Sequence, residues 1–329
     1  MTRALSVRLC AALLAAVVVH GRSDDTPYTQ VARLDRSVDG KGFNSFAYDP
    51  VDQRLYAGSW NGVFWIDLRE REPRIKGPML NKRIGTIEIA PDSGRLFYTS
   101  TDEFGYVNLR SNDPPRVLAG REWQIGRMAY EPTRREMYVG TREQGILVFD
   151  TETGERGPVI ALPGWYPTTL EAVAGKVFVS LKDKSGLYVI DAATHTLAPW
   201  PVKGKLVTPA YLEADPTGQY LFAAYYKNLV AIDIASATVV GRLTNGESFD
   251  IAFDPERRLL IAADYELPDH PRLRLRAFSI SGNGFTQVAE LKNRFDGVAG
   301  LESFRGGFLQ YGASSLLLWT AAPSQLATR

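Results

Sequence analysis

Apolar and polar positions alternate with a period of two along most of the chain, in short runs broken by turn-forming residues. One run ends in Asp-Pro or a near relative, as in Phe46-Ala47-Tyr48-Asp49-Pro50 and Ile251-Ala252-Phe253-Asp254-Pro255. A second, more continuously apolar run follows the turn, as in Leu55-Tyr56-Ala57 and Leu259-Leu260-Ile261-Ala262-Ala263. A third run ends near Asp, as in Val63-Phe64-Trp65-Ile66-Asp67, and a polar turn leads to a fourth. Period-two alternation places side chains on opposite faces of a sheet. A run apolar at nearly every position predicts a strand covered on both faces. Asp-Pro followed by Gly or a polar residue supplies the hairpin turn.

The four-strand unit recurs. Pro50, Pro91, Pro132, Pro216 and Pro255 mark it, with Ala174 in the equivalent place of the fourth unit, at spacings of 39 to 42 residues. A period near 40 with four short strands per unit is a propeller-blade signature. The sixth unit carries an insertion, and a seventh, degraded unit runs from Val298 to Trp319 without a clear fourth strand. Tyr28-Thr29-Gln30-Val31-Ala32-Arg33-Leu34 closely matches Phe285-Thr286-Gln287-Val288-Ala289-Glu290-Leu291, the outer strand of the sixth unit. The expected fold is an all-β, seven-bladed β-propeller of four-stranded blades, its last blade closed by the N-terminal strand. Closure leaves only short, protected sheet edges.

The chain start stands outside this pattern. Arg3 and Arg8 precede an apolar run from Leu9 to Val19, and Val19-His20-Gly21 offers a cleavage site. That layout predicts a signal peptide over 1–21 and a single propeller domain over 22–329. The apolar run is too short for a membrane helix, which needs roughly 20 residues. Removing it takes away Cys10, the only cysteine, and two of the positive charges behind a net charge of +1. A thiol-free, near-neutral chain fits a periplasmic or secreted setting, with no electrostatic reason to seek nucleic acid. No membrane span is expected, and the chain is read as a monomer.

The unit Ile-Ala-Phe-Asp-Pro, then Leu-Ile-Ala-Ala, then a third strand ending in Ile-Asp resembles the YVTN-type repeat. Val148-Phe149-Asp150-Thr151-Glu152-Thr153-Gly154 and Val189-Ile190-Asp191-Ala192-Ala193-Thr194 are close matches to its third strand and turn. The resemblance runs from Tyr28 to Trp319. The wider group includes exported surface propellers, lactonase-like propellers and quinoprotein amine dehydrogenase-like propellers. It implies the fold and leaves the activity open.

No Gly-x-Ser-x-Gly nucleophile turn and no phosphate-binding Gly-Lys-Ser/Thr motif is present. Past the leader only His195 and His270 remain, too few for a histidine-rich metal centre. His195 falls on an outer turn and is expected to be exposed and inert. Two sets of candidate residues survive. By analogy with propellers of this type, the second-to-third-strand loops and the loops entering first strands share one face. That face gathers Trp60, Asn61, Trp165, Tyr225 and the long loop Asp264 to Pro271, with Asp264, Tyr265 and His270. Aromatics there would give a protein partner or small polar ligand rigid contact area.

The second set is a row in the first strands. One position reads Ala47, Glu88, Ala129, Glu171, Glu213, Ala252 and Glu302. Glu88, Glu171, Glu213 and Glu302 could line the channel and hold a hard cation such as Ca²⁺, or each could bond a neighbouring blade's backbone. Arg127 and Asp250, two positions before the row, belong at the channel mouth. Three functional readings stay open: a non-catalytic propeller binding a partner or polar ligand, a lactonase-like hydrolase using channel carboxylates, and an accessory subunit of a periplasmic oxidoreductase system.

Overall fold

The computed structural model describes residues 26–321, apart from 36–41, 102, 121–124, 163–165, 183, 205, 207–208, 226–227, 244–246, 267–271, 282–283, 292–299 and 312–314. All regular structure among them is strand, arranged as seven four-stranded antiparallel sheets. Blades 1 to 6 span 43–80, 84–119, 125–160, 167–200, 211–243 and 247–291, each in chain order from inner to outer strand. Blade 7 takes its three inner strands from 300–321 and its outer strand from Tyr28–Asp35, which pairs antiparallel with Ser315–Ala321. The inner strands pack on one another in sequence, and Gly300–Phe304 packs back on Phe43–Asp49.

The marker acids make the first hairpin turn. Asp49 Oδ1 accepts the N–H of Val51 at 2.9 Å, and Asp254 Oδ1 accepts those of Glu256 and Arg257 at 3.0 and 3.1 Å. In blade 3 Glu131 takes the same place and receives the Arg134 N–H at 2.8 Å. These acids are buried, and a carboxyl oxygen at the start of a turn satisfies backbone donors that the hairpin leaves over. The aspartates ending the third strands act alike on the next turn. Asp191 Oδ1 takes the N–H of Ala193 and Thr194 at 3.0 Å each, and Asp67 is held by Arg69 through Nε and Nη2 at 2.9 and 2.6 Å.

Among the described residues the core divides into seven clusters, and each lies between two adjacent blades. Val177, Val179 and Leu181 of blade 4 meet Tyr138, Ile146 and Val148 of blade 3. Phe178, on the opposite face of the same strand, meets Leu212, Leu221 and Val230 of blade 5. Burial on both faces is why the second strands read as almost unbroken apolar runs.

Two expectations are corrected. The blade 6 insertion lengthens a hairpin: Asp264, Tyr265 and Glu266 are strand residues paired with Arg274, Leu273 and Arg272. His195 is not a free surface group. It sits in the blade 4 outer turn with its ring partly buried, and Nε2 lies 3.0 Å from Glu136 Oε2 of blade 3.

Candidate functional site

The seven inner strands surround a channel of about 440 Å³. Period two sends the same face of each inner strand into it. Glu88, Glu171, Glu213 and Glu302 all line it, and the positions two residues earlier add Ser45, Thr86, Arg127, Thr169, Tyr211 and Asp250. Tyr311, from the second strand of blade 7, fills the space that the missing side chain of Gly300 leaves.

Three of the channel acids, Glu171, Glu213 and Asp250, are tied to backbone. Glu171 Oε1 accepts the Ala214 N–H at 3.2 Å, and Glu213 Oε1 accepts that of Phe253 at 3.1 Å. Asp250 takes Leu301 N–H at 3.0 Å and Ile251 N–H at 2.9 Å. Ser45 accepts from Ile87 N–H at 3.1 Å. In every case but Ile251 the donor belongs to the next blade, so the row joins blades around the ring. Burial dominates the acids' titration. It pushes Glu88 and Asp250 up to about 7 and Glu213 up to about 8. Glu171 and Glu302 rise well above the carboxylate range, through burial first and then the neighbouring acids. Among the described residues no group of three or more His, Cys, Asp or Glu side chains is placed to hold a metal ion.

The upper face, where the chain enters each inner strand, carries the remaining candidates. The inner strands of blades 1, 2, 3, 4 and 6 share a register break near their starts, between Phe43 and Ser45, Ile84 and Ile87, Ile125 and Met128, Pro167 and Thr169, and Ser248 and Asp250. A bulge re-aims side chains and ends local pairing. Thr86 and Arg127 lie inside two of these breaks, and both line the channel as well as a second cavity of about 530 Å³ over blades 2, 3 and 4. Arg127 is exposed, and through space it favours the ionised form of Asp250.

Trp60, at the turn between the second and third strands of blade 1, is 45% exposed, and the Arg83 guanidinium lies 4.2 Å over its ring. Asn61 donates its N–H to Ser59 Oγ at 3.0 Å. Tyr225 ends the second strand of blade 5, paired with Asn228. Trp165 and His270 lie outside the described residues. The structure thus brings Arg127 together with the glutamate row and places Trp60 apart, on the rim of blade 1. Sequence reasoning missed Tyr211 and Tyr311 in the channel and the second cavity. The row two positions before the glutamates was the signal for Tyr211, while no spacing pointed to Tyr311.

No protein-family model matches the chain, and no curated protein matches it. Solved structures do. A chain of a mitotic checkpoint complex superposes with a TM-score of 0.72 at 13% identity, covering 98% of this chain and 99% of that one. The WD40 repeats of RRP9 give 0.70 at 7% identity over 88% and 97%, and U3-55K gives 0.69 at 7% over 87% and 98%. At such identities the likeness is one of fold.

Proposed function

We propose that this chain is an exported, non-catalytic β-propeller that binds a protein partner across its upper face. The observation that carries this reading is Trp60, exposed on that face with Arg83 stacked on its ring. Trp and Arg dominate binding hot spots because they offer large, rigid area and directional donors. The likeness to a chain of a mitotic checkpoint complex and to WD40 repeats supports a role in assembly. Export rests on the basic and apolar start of the sequence, and the YVTN-type resemblance of the repeats supports an extracytoplasmic setting. A hydrolase reading gains nothing from the channel, where Glu171, Glu213 and Asp250 spend oxygens on backbone donors.

The test is affinity capture with the chain from residue 22, followed by titration of the captured partner. Trp60→Ala and Arg83→Ala should each weaken binding about 10-fold, equivalent to about 1.4 kcal/mol, with the melting temperature unchanged. Equal affinity in both variants would remove this face from the account.

A further inference from the structure

We propose that the cavity over blades 2, 3 and 4 is a binding site for the oxyanion of a small organic molecule, a carboxylate or a phosphate ester, with Arg127 as its principal anchor. The cavity measures about 530 Å³ and no Asp or Glu lines it among the described residues. Its polar lining is cationic or hydroxylic: Arg127 and Arg142, with Thr86, Thr99, Thr141, Thr168 and Tyr166. The Arg142 guanidinium lies 5.7 Å from the ring centre of Tyr166 and Lys182 Nζ lies 5.0 Å from it, so two positive charges stand close to the aromatic wall.

Arg127 is the group best placed to act. The break in the blade 3 ladder between Ile125 and Met128 frees it from the strand pattern and leaves its side chain exposed at the junction with the channel. Among the described residues it forms no hydrogen bond or ion pair. The acid it influences most directly is Asp250, whose two oxygens are already taken by Ile251 and Leu301 N–H. A guanidinium without a partner among the described residues matches a carboxylate or phosphate in bidentate fashion, the strong form of a charge-assisted bond. The hydroxyls of Thr86 and Thr99 are 2.9 Å apart, and the Thr86 N–H donates to Thr99 Oγ1 at 2.9 Å. These bonds hold two of the cavity's hydroxyls in place. The organic body of the ligand would lie on Tyr166 and Pro167.

The inference is independent of partner binding at Trp60. It is tested by calorimetric titration of the purified chain with glucuronate, glucose 6-phosphate and inorganic phosphate, with neutral glucose as control, at matched ionic strength. At least one of the two organic anions, glucuronate and glucose 6-phosphate, should bind and glucose should not. Arg127→Ala should raise the dissociation constant at least about 10-fold, and Arg142→Ala or Thr86→Val should raise it less. Trp60→Ala should leave it unchanged. A preference for glucose 6-phosphate or for glucuronate identifies the ligand's headgroup, and binding of inorganic phosphate alone would limit the site to the free ion and overturn the organic ligand. No heat with any anion, or an equal constant in the wild type and Arg127→Ala, would overturn the proposal. Arg127 is exposed, so a loss of binding without a change in melting temperature separates recognition from folding.

Discussion

The hydroxyl of Tyr28 donates a 2.6 Å hydrogen bond to Asp254 Oδ2 across 226 positions of sequence. Tyr28 begins the outer strand of blade 7, and Asp254 makes the first turn of blade 6. Arg257 Nη1 donates to the same oxygen at 2.7 Å, and the Tyr28 ring meets Phe308 edge-on at 5.1 Å. Both Tyr28 and Asp254 are 1% exposed. The N-terminal strand is therefore anchored to two blades, by its ladder to Ser315–Ala321 and by this bond. Burial and Asp254 hold the phenol far above its usual range, so it stays a donor at any working pH.

Tyr28→Phe keeps the ring and removes the donor. It should cost about 1 to 3 kcal/mol of unfolding free energy, toward the lower end because Arg257 still satisfies Asp254. Tyr28→Ala also opens a cavity against Phe308 and should cost about 3 to 5 kcal/mol. Urea unfolding measures both, and a Tyr28→Phe midpoint equal to wild type would show that the bond contributes nothing.

Stability should fall on both sides of about pH 5. Glu88, Asp250 and Glu213 keep their protons in the folded chain up to about 7, 7 and 8, and burial raises Glu171 and Glu302 well above the ordinary glutamate value as well. In the unfolded chain all five ionise near 4. Their contribution is complete below that value and is lost as pH rises through 7 to 8. Arg127 is the one cation lining the channel among the described residues, and Tyr211 and Tyr311 remain neutral there. The turn aspartates act oppositely. Arg69 holds Asp67 below the carboxylate range, and Thr194 and Ser236 lower Asp191 and Asp233, so this stability is lost as pH falls below about 4. Melting temperatures from pH 3 to 9 test the profile. Glu213→Gln, whose amide oxygen can still accept from Phe253, should raise the melting temperature at pH 8 toward its value at pH 5. A flat profile above pH 5 would contradict the protonated ring.

Gly300→Ala should disturb the channel although it adds one carbon. A Cβ at this position would fall 2.0 Å from Tyr311 Oη and 2.6 Å from Asp250 Oδ2. Either Tyr311 leaves the channel or the inner strand of blade 7 shifts, and overpacking of this kind costs about 1 to 3 kcal/mol. The double variant Gly300→Ala with Tyr311→Phe removes the clashing oxygen and should recover part of the loss. Additive losses would place the strain elsewhere.

His195 and Glu136 should be energetically coupled. Glu136 Oε2 receives the Tyr138 hydroxyl at 2.8 Å and lies 3.0 Å from His195 Nε2, joining the blade 4 outer turn to the second strand of blade 3. A double-mutant cycle of His195→Ala and Glu136→Gln should give a coupling of about 0.5 to 1.5 kcal/mol. A coupling near zero would return His195 to the surface role that its turn position suggests.

How far the sequence reaches differs between levels. Strand period, the Asp-Pro turn and the 40-residue repeat are local or nearest-neighbour properties, and they were enough for the propeller and its four-stranded blades. The glutamate row was visible because the repeat aligns it. Its chemistry was not, because whether a carboxylate is a ligand or a backbone cap depends on the N–H that the next blade presents, such as Ala214 to Glu171. The insertion of blade 6 read as a loop because Asp-Tyr-Glu is polar, whereas pairing across the hairpin made it strand.

The sequence by itself determined the blades, their number and the positions that face the axis, since side-chain alternation and turn chemistry act within a few residues. Only the tertiary structure decided that Tyr28 meets Asp254, that Tyr311 fills the space at Gly300, and that Arg127 stands between two cavities. The first joins two blades, the second two neighbouring strands of blade 7, and the third an inner strand to the cavities on either side of it. Their distances are fixed by how the ring closes and where each inner strand breaks register, and no short stretch of chain encodes either.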